Sequence, residues 1–67
     1  MTMNERVKTA LEATKRKFSW KKNDFGRSML EFEWIARHIN STRGKEHKFW
    51  CEVMDEWKKQ EESSNNE

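Results

Sequence analysis

Apolar residues recur along this chain at the spacing of three helices. The first set is Met3, Val7, Ala10, Leu11, Thr14 and Phe18, a stripe at helical period that predicts a helix over residues 3–19. Thr2 and Glu5 stand at capping-box spacing, which occupies two free backbone N–H groups and fixes where this helix starts. The second set, Phe25, Met29, Phe32, Ile35, Ala36 and Ile39, predicts a helix over residues 28–40, with Ser28 and Glu31 as its capping pair. A start at Asn23 or Asp24, with Gly26 in the first turn, is the alternative. The third set, Phe49, Trp50, Val53, Met54 and Trp57, predicts a helix over residues 45–59. Turn-forming Asn, Asp and Gly fill the first connection; the second, Ser41 to Gly44, leaves Asn40 or Gly44 to take a left-handed backbone.

The fold class that follows is all-α. It is a small three-helix bundle, or a helical hairpin plus an N-terminal helix, with dimerisation as a way to complete it. Residues 1–60 form one domain, and residues 61–67, which have nothing apolar to bury, are expected to be a disordered polar tail. Lys17 to Lys21 alternates like a strand, but it is too short and has no partner strand.

The second helix carries a further feature. Leu30 and Trp34 are four residues apart and lie nearly opposite its main stripe, so the helix is apolar on two sides and needs cover on both. That makes it the middle of a bundle or part of an interface. Leu30 and Trp34, rimmed by Glu33, Arg37 and His38, have the layout of an apolar interface centre with a charged edge. Equally, they can pack on the first helix while the main stripe packs on the third.

Composition sharpens this point. The 67 residues are 33% hydrophobic and 39% charged, with only six Val, Ile and Leu but four Trp, four Phe and four Met. A chain this short buries only about 60% of its unfolded surface, so oligomerisation is one of the few stabilisers open to it. One cysteine, Cys51, excludes an internal disulfide. Not all of Trp20, Trp34, Trp50 and Trp57 fit inside such a domain, and tryptophan left at a surface is the residue type that dominates interface energetics.

Charge is uneven. Residues 1–27 hold eight Lys/Arg against three Asp/Glu, and residues 28–67 hold six against nine, giving +5 and −3. Lys15, Arg16, Lys17, Lys21 and Lys22, with Phe18 and Trp20 among them, are cations and rings of the kind that meet phosphates and stack bases. The same cations also suit the negative end of the first helix dipole. A helix-turn-helix reading of the last two helices is opposed by Glu46, Glu52, Asp55 and Glu56 on the helix that would enter the groove.

Chemistry is not encoded in any recognisable pattern. His47, Cys51 and Asp55 follow one another at i, i+4, but a zinc site needs three or four ligands and no second Cys or His pair stands at the usual spacing. Cys51 with His47 lacks an orienting third group, and three short helices leave little room for a substrate pocket. We therefore expect no enzyme, no cofactor, no metal and no small-molecule substrate. No apolar run approaches the roughly 20 residues that span a bilayer, so no membrane partner is expected either. The N-terminus lacks the apolar core of a secretory signal, which with the unpaired Cys51 suggests a bacterial cytoplasm, or a host cytoplasm for a mobile-element protein.

In length and composition the chain resembles the small accessory proteins of phages and plasmids. The functional expectation is a non-enzymatic helical interaction protein, a regulator or inhibitor that docks on a larger protein or self-associates as a homodimer. Its partner-binding residues would be Leu30, Trp34, Arg37, His38, Trp50 and Trp57. The alternative is a nucleic-acid-binding module using Lys15, Arg16, Lys17, Trp20, Lys21 and Lys22.

Overall fold

The computed structural model describes residues 2–65, and side chains as far as residue 62. Three helices follow in order: α1 (Met3–Lys17), α2 (Asp24–Ser41) and α3 (Lys45–Asn65). Among the described residues there is no strand. The architecture is the all-α three-helix bundle expected from the hydrophobic pattern.

The capping box at the start of α1 is formed: the Glu5 amide donates to Thr2 Oγ1 at 3.3 Å, and the Thr2 amide donates to Glu5 Oε1 at 3.3 Å. The helix stops at Lys17, two residues before the expected end. Phe18 is its C-cap, and the chain turns there with the Ser19 amide donating to the Arg16 carbonyl and the Lys21 amide to that of Phe18.

α2 begins four residues earlier than the preferred start. Asn23 is the N-cap, its side-chain oxygen accepting from the Gly26 amide at 2.8 Å, so Gly26 lies in the first turn. The Ser28–Glu31 capping box is therefore corrected. Tertiary partners claim both side chains: Ser28 Oγ donates to Glu61 at 3.3 Å, and Glu31 accepts from Trp57.

Gly44 adopts φ +65°, the left-handed conformation that ends one helix and allows the next to begin. His47 Nδ1, 2.9 Å from the Ile39 carbonyl oxygen, binds the start of α3 to the end of α2. α3 then continues to Asn65, past the expected end at residue 59. Lys15 Nζ bonds to Gln60 and Ser28 to Glu61, so the first part of the expected tail is helical and held; Asn66 and Glu67 lie outside the described residues.

Arg6 lies by Phe49 and Lys15 by Gln60, so α1 and α3 run in the same direction; α2 runs against both. The core consists of Val7 and Leu11 from α1, Ile35 from α2, and Phe49, Val53, Met54 and Trp57 from α3. The third helix thus supplies most of the interior and packs on both others, while α1 and α2 touch least. Of the two places expected for the second helix, the middle of the bundle or part of an interface, the middle goes instead to α3, which has the most continuous stripe of large buried side chains.

Candidate protein interface

Toward the end formed by the start of α3, rings stack in a continuous seam. Phe18 meets Trp34 edge-on at 6.1 Å, Trp34 meets His38 at 4.5 Å, His38 meets Trp50 at 4.1 Å, and Trp50 meets Phe49 at 5.4 Å. The seam arises from helical spacing: Trp34 and His38 are one turn apart on α2, and His38 Nδ1 lies 2.8 Å from the Trp34 carbonyl oxygen, which holds the ring in place. Lys17 Nζ sits 4.6 Å from the Trp34 ring centre, and the Arg6 guanidinium 4.8 Å from that of Phe49.

Of the expected partner-binding residues, Trp34, His38 and Trp50 are brought together in this seam, each half-buried. Leu30 and Arg37 line a shallow hollow of about 230 Å³ beside Lys17, Phe18 and Trp34, and Arg37 pairs with Glu33 at 3.0 Å. Trp57 stands apart, on the opposite side of α2. It is 8% exposed, donates its Nε1–H to Glu31 Oε1 at 3.0 Å, and lies 5.7 Å from the Phe32 ring. That hydrogen bond gives a buried donor and a buried carboxylate each a partner.

At the other end the apolar surface is open. Phe25, Met29 and Phe32, the first half of the main α2 stripe, are 76%, 53% and 40% exposed. They line an open groove of about 990 Å³ between α2 and the end of α3, with Trp57 and Glu31 in its lining and Lys15 and Glu61 at its margins. Their expected burial is corrected, and the cause can be read in α3. After Trp57, whose ring meets Phe32, that helix continues Lys58, Lys59, Gln60, Glu61, Glu62, so an antiparallel α2 finds no apolar partner there for Phe25 and Met29. These three residues were missed as surface residues. The signal lay in comparing the apolar content of the two facing helix ends.

The basic run does not form one face. Lys15 is tied to Gln60 on α3, Lys17 lies over Trp34 on α2, and Lys21 is half-buried with its carbonyl accepting from Arg27 at 3.1 Å. Lys15 and Lys17 stay exposed all the same, as do Arg16, Lys22 and Trp20, the last at 66%.

No group of three or more His, Cys, Asp or Glu is gathered for a metal among the described residues. None of their helices is long and apolar enough to cross a membrane. The fold and this surface define a small three-helix protein with one closed aromatic seam and one open apolar groove. No protein-family model, no curated protein and no solved structure matches the chain.

Proposed function

We propose that this chain is a non-enzymatic helical interaction protein, a regulator or inhibitor that acts by docking its open α2 face against a protein surface. It works by occlusion, or by holding one state of what it binds, with no chemistry of its own. The observation that carries this reading is the line Phe25, Met29, Phe32 at i, i+4, i+7, exposed beside a groove. Exposed apolar side chains gathered along one helix face mark interaction sites, whereas single exposed ones are ordinary. The resemblance in length and composition to phage and plasmid accessory proteins agrees with it, as does a cytoplasmic setting in which Cys51 stays reduced.

The nucleic-acid reading is supported by Trp20 and the exposed cations Lys15, Arg16, Lys17 and Lys22, and opposed by the contacts that draw Lys15 to Gln60 on α3 and Lys17 to Trp34 on α2. A photo-crosslinking side chain placed at Phe25, at Trp20 and, as control, at Lys8 separates the two in cells expressing the protein. Protein adducts at Phe25 that are missing at Lys8 are expected. Nucleic-acid adducts at Trp20, with none to protein at Phe25, overturn the proposal.

A further inference from the structure

The open α2 face is also a ridge. Phe25, Met29 and Phe32 are the i, i+4, i+7 anchors by which a helix seats itself in an apolar groove. In this chain the same helix forms one wall of a groove between α2 and α3. One surface thus offers both the ridge and the groove it would fill, as two-fold self-association requires, because there each contact occurs twice with the roles exchanged.

We infer that the occupant of this groove is a second copy of the chain, with the two α2 helices antiparallel and the two-fold axis passing beside Met29. The inference rests on the docking reading above and narrows it. Three observations select this occupant and this register.

The first is the spacing. Phe25 precedes Met29 by four residues and Phe32 follows it by three, so reversing one helix about Met29 sets Phe25 of each copy against Phe32 of the other.

The second is charge. Lys22 lies just before α2 and Glu33 one turn beyond Met29 within it; both are exposed, and Glu33 is paired with Arg37 on its own helix. Antiparallel packing brings the end of α2 near Lys22 in each copy toward the part of the other that carries Glu33 and, beyond it, Arg37. Parallel packing sets Lys22 against Lys22 and Glu33 against Glu33, and like charges face to face disfavour it. The helix dipoles also oppose one another only in the antiparallel arrangement.

The third is area. Taking about 200 Å² for a side chain of this size, exposures of 76%, 53% and 40% leave roughly 340 Å² of apolar surface per copy. A standard interface covers about 800 Å² per partner, of which some 60% is apolar. The patch therefore supplies most of the apolar part of a small interface. The association is accordingly weak and reversible, filling only as the protein reaches micromolar concentration and above.

Sedimentation equilibrium of the purified wild-type chain across a wide concentration range reads the prediction directly. The mass is expected to rise from 8.2 kDa toward twice that value, and Met29→Glu to remove the rise while the helical circular dichroism stays unchanged. Register is read by charge exchange: Lys22→Glu and Glu33→Lys each weaken dimerisation at least tenfold, and the double variant recovers most of the loss. In a Cys51→Ser background, Met29→Cys forms a disulfide-linked dimer on mild oxidation and Phe25→Cys does not.

A wild-type chain that stays monomeric at all concentrations overturns the inference. If position-dependent protein adducts still form at Phe25 in cells, the docking reading stands with a foreign occupant; if they also fail, both fall. A dimer that links equally well through Phe25→Cys, or that the charge exchange does not restore, overturns the antiparallel register.

Discussion

The two halves of α2 carry similar apolar residues and have opposite fates. From Trp34 to Ile39 the helix is covered: Ile35 is 0% exposed, and Trp34 and His38 are locked into the ring seam. Before it the stripe residues Phe25, Met29 and Phe32 are open, although they are as apolar as the residues that follow. The difference comes from the facing helix. α3 presents Phe49, Trp50, Val53 and Met54 to the covered half, but only Trp57 and then charged residues to the open one. Burial is thus set by what an antiparallel partner offers at the same height, and a residue's own hydrophobicity does not decide it. Where the partner offers nothing, the apolar stripe becomes a surface.

Substitutions test this contrast, the largest effect first. Trp57→Ala removes the biggest core ring and leaves Glu31 without its donor, a loss of about 3–5 kcal/mol for a buried aromatic. A chain of this length holds about 3–10 kcal/mol in all, so chemical denaturation of this variant should show a largely unfolded protein at modest denaturant. Trp34→Ala, half-buried in the seam, should cost clearly less; an equal loss would place Trp34 in the core proper and break the division drawn here. Ile35→Ala, in the covered half, should lose about 2–5 kcal/mol in the same measurement.

Glu31→Ala probes the join between the halves. It strands the buried Trp57 N–H and should cost about 1–3 kcal/mol, whereas Glu31→Gln keeps an acceptor and should cost less. Gly26→Ala should stabilise by about 0.5–1 kcal/mol, since alanine is the better helix former. Its added Cβ meets only the flexible end of Lys21, at 2.8 Å from Cε, which is free to swing aside. A loss instead would mean that Lys21 is held more firmly than its reach suggests. The smallest effect belongs to Phe25→Ala, at most about 0.5 kcal/mol on the monomer. A large thermal shift at low concentration would show that the open half is core after all.

Much of this architecture was legible before any coordinates. Three helices follow from the 3.6-residue recurrence of Val7, Leu11, Ile35, Val53 and their neighbours, and the start of α1 follows from Thr2 and Glu5. These are local properties: each depends on residues within one or two turns, where spacing alone determines which side chains meet. Gly44 at the second break belongs with them, because only glycine takes a positive φ there at no steric cost.

The remainder was decided in three dimensions. Ser28 and Glu31 have the spacing of a capping pair, yet Asn23 already starts α2, which places both inside the helix and leaves their side chains to meet Glu61 and Trp57, roughly thirty residues away. The five cations of residues 15–22 are close together in the chain, but helical geometry and the positions of Gln60 and Trp34 send them to different sides. The sequence by itself determined which stretches coil and which positions along them are apolar. Only the tertiary structure decided which of those positions are hidden, because that depends on how two helices are aligned end to end, and no single helix encodes its neighbour's register.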